Sequence, residues 1–164
     1  MLPSIKKILY ATDLSENSRL AFGYAASLAK QYLAELIVVH AIEPLNPKTV
    51  MQMSGALGEM AWLNLQTDVE NAQVDNLGAK LREFCRDMQT DMEALNLKDE
   101  NLVLSKGNSV DSILSAASEN KVDLIVMGTH GYSMMKDALM GGTARRVVRR
   151  SKIPVLVVRS QEEE

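Results

Sequence analysis

The sequence predicts an α/β fold in which a parallel sheet is covered by helices on both faces. Five short apolar runs are spaced along the chain, and several are apolar at successive positions. A strand with one exposed face would alternate, so continuous runs indicate strands that are buried on both faces. Segments with helical spacing lie between the runs, which predicts βαβ units with right-handed crossovers. The length of 164 residues suits one domain, which we assign to residues 1–164.

The predicted strands are rich in β-branched residues and are bounded by turn or charged residues. Four clear runs and one weaker run cover Ile5 to Ala11, Leu36 to Ile42, Asp123 to Met127, Ile153 to Val158 and, more weakly, Leu102 to Ser105. We therefore expect a sheet of five strands.

The predicted helices carry apolar residues at intervals of three and four. They cover Ser18 to Tyr32, Val74 to Leu95, Val110 to Ser118 and Ala144 to Arg150. Each lies between two predicted strands, as a crossover helix of a parallel sheet should.

One segment, Glu43 to Gly58, interrupts this alternation. It contains two prolines and two glycines, and we predict a long loop of the kind that often serves as a lid or binding segment. The helical pattern that follows, Glu59 to Leu95, would be about three times the usual ~11–12 residues if it were continuous. We therefore expect a bend near Asn64 to Asn71.

Composition excludes several classes of protein. The apolar content of 46% and the net charge of -3 exclude a disordered chain. A pI of about 5.5 argues against nucleic acid or an anionic membrane as the partner. The single cysteine, Cys85, allows no internal disulfide and favours a reducing compartment. No run resembles a signal peptide or a membrane helix, so we expect a cytoplasmic protein.

A glycine-rich segment around the fourth predicted strand is the first candidate site. Gly128 and Gly131 follow that strand, and Gly141 to Ala144 lead into the last predicted helix. Glycines allow the backbone to approach a ligand, and free amides at a helix N-terminus favour an anion. The segment is therefore a candidate phosphate cradle. Two ordinary turns between strands and helices would explain the same glycines.

The end of the first predicted strand is the second candidate. In open α/β sheets, ligands bind beyond the carboxyl ends of strands where the strand order reverses. Asp13, which follows Ala11 and Thr12, could accept hydrogen bonds from a ribose hydroxyl or a base amino group there. It could equally cap the helix that follows, and the two roles are compatible.

The sequence contains no recognisable catalytic or metal-binding pattern. The two histidines, His40 and His130, have no cysteine or paired carboxylate nearby, so we expect no metal site. No Walker P-loop, dinucleotide G-x-G-x-x-G or nucleophile elbow is present. We expect Cys85 to be buried and inert, and we expect no catalytic residue.

Cations cluster around the last predicted helix, and methionines cluster around the predicted loop and the glycine segment. The basic residues are Arg145, Arg146, Arg149, Arg150 and Lys152. They suit the end of a helix, where cations complement its dipole, or contact with phosphates or an acidic partner. The methionines suit either core filling or an adaptable contact surface.

Several motifs together resemble the universal stress protein family over nearly the whole chain. They are Lys7 to Asp13 (KILYATD), Val38 to His40 (VVH), Gly107, Asp123 to Gly131 (DLIVMGTHG) and Pro154 to Val158 (PVLVV). The nucleotide-binding branch of that family carries G-x2-G-x9-G-[S/T]. The chain has the three glycines with the right gaps, but Gly142 stands where the family has Ser or Thr. Thr143 follows it and is a candidate substitute for the missing hydroxyl.

The resemblance implies a Rossmann-like open sheet with strand order 3-2-1-4-5. It also implies ATP or AMP, with or without Mg²⁺, across the ends of strands 1 and 4. The implied nucleotide-binding residues are Ala11, Thr12, Asp13, Val39, His40, Met127, Gly128, Gly131, Gly141, Gly142, Thr143 and Ala144. Asp13 and its neighbours would contact adenine and ribose, and the Gly141 to Ala144 segment would hold phosphates, more weakly without the hydroxyl.

The resemblance further implies a stress-response protein that is not catalytic, or hydrolyses ATP very slowly. It implies a homodimer through the last strand, Val155 to Val158, and an apolar run at a sheet edge independently favours such pairing. The alternative is a dimeric interaction protein of the same fold that binds no nucleotide. A third class, ATP pyrophosphatases, carries an S-G-G-x-D-S type loop that Thr12 to Ser18 (TDLSENS) lacks.

Overall fold

The computed structural model describes residues 1–129 and 140–159 of the chain. Five strands form one sheet, in which every neighbouring pair is parallel. The strands are β1 (Lys7–Thr12), β2 (Glu35–Ile42), β3 (Leu102–Lys106), β4 (Leu124–Gly128) and β5 (Val155–Val158). Their order, β3-β2-β1-β4-β5, confirms the expected topology.

Among the described residues, five α-helices connect the strands. They are α1 (Ser18–Tyr32), α2 (Pro47–Leu57), α3 (Glu59–Asp87), α4 (Ser109–Glu119) and α5 (Gly142–Arg150). A short 3₁₀ turn, Asp99–Asn101, precedes β3. Within the described part of the chain, no helix is both long enough and apolar enough to cross a bilayer.

The prediction of a loop over Glu43 to Gly58 is wrong for most of its length, because α2 occupies Pro47–Leu57. Pro47 begins the helix, a position where its fixed φ and missing N–H are tolerated. The side chain of Asn46 caps the helix by accepting a 2.9 Å hydrogen bond from the amide of Lys48. The proline that suggested a loop is thus a helix-start signal.

Helix α3 runs without interruption through Asn64 to Asn71, where we expected a bend. The prediction that it continues to Leu95 is wrong, since it ends at Asp87 and the backbone of Gln89 adopts a positive φ of 54°. Leu95 is nevertheless buried. Leu95 matched the helical spacing of apolar residues because it is buried, although it lies in the turns that follow the helix.

Two apolar cores cover the two faces of the sheet. On one face α1 and α3 pack against β1, where the rings of Tyr10, Phe22 and Phe84 form a chain with centroid separations of 5.4 and 5.6 Å. On the other face α4 and α5 pack through residues such as Ile113 and Val147. Each buried side chain of this size contributes roughly 1.5–3 kcal/mol. The cores hold the strand ends in a fixed register.

At the amino end of the sheet, side chains of the protein form hydrogen bonds and an ion pair with the start of β1 and β2. Asp123, just before β4, accepts hydrogen bonds from the amides of Lys6 and Lys7 at 2.7 and 2.9 Å. Glu35 forms a 3.4 Å ion pair with Lys7 and accepts a 2.8 Å hydrogen bond from the side chain of Asn101. The two amide donors lower the pKa of Asp123 below its ordinary value, with smaller contributions from the nearby lysine charges.

Candidate functional site

The carboxyl ends of β1 and β4 lie side by side at the point where the strand order reverses. Ala11 on β1 is in register with Val39 on β2 and with Met127 on β4, and Thr12 is in register with His40. The structure therefore brings these five predicted residues together at one edge of the sheet. A crevice at this position is the usual ligand site of open α/β sheets.

The side chains of three of these residues belong to the core. Ala11, Val39 and Met127 are buried in the cluster beneath α4 and α5. Their contribution to a ligand site is therefore a rigid apolar floor with backbone groups at the strand ends.

Thr12 uses its hydroxyl to shape the turn that follows β1. The hydroxyl donates to the Ser18 Oγ at 3.1 Å and accepts from the amide of Leu14 at 3.0 Å, where the backbone takes a positive φ of 65°. Ser18 Oγ in turn donates to the carbonyl of Ser15. Thr12 is buried, with 8% of the residue exposed, so its role at the site is to fix the turn.

Tyr10 supports the same turn from below. Its hydroxyl donates a 2.7 Å hydrogen bond to the carbonyl of Ser18, at the start of α1. Burial raises the pKa of Tyr10 to about 12, so the phenol stays protonated and keeps this donor at neutral pH. Sequence reasoning missed Tyr10 and Ser18, because nothing in their spacing indicates a contact between a strand and the next helix.

Asp13 is held by a local turn. Its Oδ1 accepts from the amide of Ser15 at 3.0 Å and from the Ser15 hydroxyl at 2.5 Å. The N-cap of α1 is Asn17, so Asp13 does not cap that helix. The Asp-x-Ser pattern is a sequence signal for such a turn. The turn presents a half-buried carboxylate in one orientation beyond the end of β1.

His40 links β2 to β1 at the same edge. Its Nδ1 lies 2.9 Å from the carbonyl oxygen of Thr12. A carbonyl oxygen only accepts hydrogen bonds, so Nδ1 carries the proton, and in the neutral ring Nε2 is then an acceptor. The half-buried ring therefore has one nitrogen committed to the protein and one with acceptor character.

The glycine segment begins and ends at the carboxyl end of β4. Gly128 is the last residue of β4, and the amide of Thr129 donates to the carbonyl of Val158 at 3.0 Å. The amide of Gly141 donates to the carbonyl of Thr129 at 2.7 Å. This bond places the start of α5 directly beside the end of β4. Gly131 and His130 lie outside the described residues, so their predicted roles stay predictions.

The first turn of α5 begins beside the carboxyl end of β4. The carbonyl of Gly141 accepts from the amide of Arg145 at 3.1 Å, which is the first bond of the helix, and no side chain caps it. Within residues 1–129 and 140–159, the amides of Gly142, Thr143 and Ala144 have no recorded acceptor. Unpaired amides and the helix dipole together favour an anion at this position.

Gly142 is exposed, and a Cβ atom added there would meet no heavy atom within 4 Å. The absence of a side chain at this position is therefore not required by packing. The half-buried Thr143 and the buried Ala144 follow it in the helix.

Within residues 1–129 and 140–159, no group of three His, Cys, Asp or Glu side chains is placed to hold a metal ion. Cys85 lies on the core-facing side of α3, where burial raises the pKa of its thiol. Its predicted burial is confirmed.

A family model described as the universal stress protein family matches residues 4–159. The chain belongs to the universal stress protein family. It is 30% identical over 155 residues to universal stress protein MJ0577 of Methanocaldococcus jannaschii, with 94% of each chain covered. It is 32% identical over 155 residues to a universal stress protein of Thermus aquaticus, covering 94% of this chain and 98% of the relative.

Solved structures of universal stress proteins agree with the fold. The structure of MJ0577 superposes with a TM-score of 0.72 at 23% identity and covers 98% of this chain and all of its own. A universal stress protein in complex with cAMP superposes with a TM-score of 0.60 at 26% identity, covering 97% of this chain and all of its own. The sequence resemblance to the family is thereby confirmed.

Proposed function

We propose that this universal stress protein is a dimeric, non-catalytic module that binds ATP or AMP at the carboxyl ends of β1 and β4. The observation that carries the proposal is the position of the α5 N-terminus, held beside the end of β4 by the Gly141 to Thr129 hydrogen bond. Three amides with no recorded acceptor among the described residues meet there at a sheet edge that also carries Asp13 and His40. This combination suits a ligand with a negative end and a hydroxyl- or amine-bearing end.

The phosphates would lie on the amides of Gly142, Thr143 and Ala144, with Gly131 completing the cradle. Asp13 would accept from the ribose, because its turn fixes the carboxylate at the end of β1. The backbone of Val39 to Ala41 and the His40 ring would meet the base, with Met127 and Gly128 as the floor. Mg²⁺, where present, would be bound mainly by the phosphates.

The missing hydroxyl at Gly142 sets the expected strength of binding. A hydrogen bond to a charged phosphate contributes about 1.5–3 kcal/mol, and the backbone amides remain available without it. We therefore propose binding that is weaker than in relatives with the intact motif. The related structure in complex with cAMP supports an adenine nucleotide as the ligand class.

The dimer would form through the outer edge of β5, which has no partner strand among the described residues. The carbonyls of Pro154 and Val158 accept bonds from the β4 side, so by alternation the backbone groups of Val155 and Val157 point away from the sheet. These outward groups, flanked by apolar side chains, favour antiparallel pairing with a two-fold related copy. Val157→Pro would remove an outward N–H without removing a bond to β4, and Val157→Ala is the matched control.

Calorimetry and thermal-shift measurements with ATP, AMP and Mg²⁺ test the nucleotide proposal. We expect saturable binding and a rise in Tm without turnover. Product formation well beyond one equivalent would instead indicate an enzyme. No shift at millimolar nucleotide would favour the alternative, a dimeric interaction protein of the same fold, for which Gly142 is the supporting observation.

A further inference from the structure

The charges of this chain are strongly segregated. Residues 140–159 contain six basic and no acidic residues, whereas residues 49–79 contain four acidic and no basic residues. Because the net charge is -3, the chain outside residues 140–159 carries -9. Segregation on this scale produces a field that orients an approaching partner.

Four of the six basic residues lie on α5 and form an exposed face there. Arg146 and Arg149 lie three residues apart on the exposed side of the helix, opposite the buried Ala144 and Val147. Of the six cations in residues 140–159, only Arg150 has an ion pair within the described residues, at 2.9 Å from Asp111. The proposed nucleotide site uses the N-terminus of α5, and the side chains of this basic face are left without a role.

The acidic residues lie on a projecting arm, defined here as residues 47–76 (α2 and the first half of α3), whose one basic residue is Lys48 near the start of α2. Glu70 forms an ion pair with Lys106 at the end of β3, so α3 extends roughly 16 Å beyond this point at ~1.5 Å per residue. Trp62 is the only buried residue that α2 and this half of α3 contribute. The arm is therefore largely uncovered in the monomer.

One side of the arm combines apolar and acidic residues. Leu65 and Val69 are four residues apart, and Asp68 and Asp75 are seven apart, which places them on one side of α3. Val69 is 49% exposed, and the two aspartates are exposed with no ion pair recorded among the described residues. On α5, Val148 is likewise 44% exposed beside the arginines.

The two surfaces cannot meet within one chain. The arm lies beside β3 on the face covered by α1 and α3, and α5 lies beside β5 on the other face. The edge strands β3 and β5 are roughly 19 Å apart at ~4.8 Å per strand. Contact between them requires two molecules.

We propose that the basic face of α5 docks on the acidic arm of a second copy of this chain. Opposite charges and exposed apolar side chains on both surfaces provide the complementarity, and arginine is enriched in protein interfaces. Two such contacts related by a two-fold axis close a dimer, and repeated single contacts build a chain. This contact does not use β5, so it is independent of the β5 dimer and of nucleotide binding.

A charge-swap experiment tests the proposal. All variants carry Val157→Pro, so that the β5 edge does not contribute, and association is measured by sedimentation velocity. The patch variant adds Arg146→Glu and Arg149→Glu, and the arm variant adds Asp68→Lys and Asp75→Lys. Arg82→Glu with Arg86→Glu is the matched control, because these arginines are exposed on α3 outside the basic face. Urea midpoints equal to that of the parent establish that each variant is folded.

We expect the patch and arm variants each to associate at least tenfold more weakly than the parent, and the control to match the parent. An equimolar mixture of the two variants should restore association, because each reversed surface then meets its complement. Parent association should weaken between about 0.01 M and about 1 M salt, as the Debye length falls from ~30 to ~3 Å. A parent that does not associate, or a mixture that fails to recover, overturns the proposal.

Discussion

The two ends of the sheet treat their backbone amides in opposite ways. At the amino end, the carboxylate of Asp123 accepts from the amides of Lys6 and Lys7, so the protein supplies the anion itself. At the carboxyl end, the amides of Gly142 to Ala144 have no recorded acceptor among the described residues. The two amides at the amino end have an acceptor within the chain, and the three at the carboxyl end have none among the described residues.

This difference separates stability from binding. A carboxylate that is part of the fold stabilises it in every condition in which it is ionised. An anion that comes from outside stabilises the fold only when it is bound, in proportion to its concentration. Substitutions at the amino end should therefore change the free energy of unfolding, and substitutions at the carboxyl end should change ligand affinity.

The largest expected effect is at the amino end. Asp123→Ala removes the acceptor of two amides and should lower the free energy of unfolding by about 2–3 kcal/mol, measured by urea denaturation. Nucleotide affinity, corrected for the unfolded fraction, should stay unchanged. Asp99→Ala, at an exposed carboxylate near the same end, is the control and should change the free energy of unfolding only slightly. Equal losses of unfolding free energy in the two variants would show that the two hydrogen bonds to Asp123 do not stabilise the fold.

The next effect removes one donor from the carboxyl end. Proline is tolerated at the first position of a helix, and Gly141 before it is already extended (φ -65°, ψ 161°), so Gly142→Pro should fold normally. Losing one amide that bonds a phosphate should weaken ATP binding roughly 30-fold, or about 2 kcal/mol. Gly142→Ala keeps the amide and serves as the control. An unchanged calorimetric affinity for ATP in the proline variant would show that the Gly142 amide does not bind a phosphate.

A smaller effect should come from strengthening phosphate binding at the same end. Gly142→Ser restores the hydroxyl of the family motif, and the space around Gly142 accepts the added atoms. We expect ATP affinity to rise roughly 10-fold when measured by calorimetry, which corresponds to about 1.5 kcal/mol, the lower end of the range for a hydrogen bond to a charged group. Gly55→Ser, at another glycine whose Cβ would meet nothing within 4 Å, controls for the change in composition. If affinity does not rise, the hydroxyl is irrelevant here.

The smallest effect is a pH dependence. The pKa of Asp123 is lower in the folded chain than in the unfolded chain, so the unfolded chain binds its proton first as pH falls. Its contribution is therefore complete above the ordinary aspartate pKa and is lost as pH falls through the folded value. Wild type should lose stability more steeply than Asp123→Asn below about pH 4, where unfolded aspartates protonate. Parallel urea-midpoint curves for the two proteins would contradict this.

Sequence reasoning predicted the sheet well, because strands that are buried on both faces leave continuous apolar runs such as Leu124 to Gly128. The strand order came from the family motifs, since periodicity contains no information about which strands are neighbours. The helix α2 was missed because Pro47 and Gly55 indicate a break unless the proline occupies the first helical position.

The structure of the candidate site was predictable where a short sequence pattern determines the conformation of a residue. It was not predictable where the contact is between residues that are distant in sequence. The Asp13 turn has the signal of a Ser two residues later. The contact of His40 with the Thr12 carbonyl joins two residues 28 positions apart in sequence, and its hydrogen-bond geometry depends on the register of β1 and β2. The bond between Gly141 and Thr129 likewise follows from how α5 packs on the sheet.

The central claim is that the amides of Gly142, Thr143 and Ala144, which have no acceptor among the described residues, bind the phosphates of an adenine nucleotide. A titration of ¹⁵N-labelled protein with ATP, followed by the amide resonances of Gly142, Thr143 and Ala144, tests it directly. We predict large, saturable shifts at these three amides, while those of Lys6 and Lys7 at the opposite end stay in place. Resonances at residues 142–144 that do not move at millimolar ATP would contradict the account.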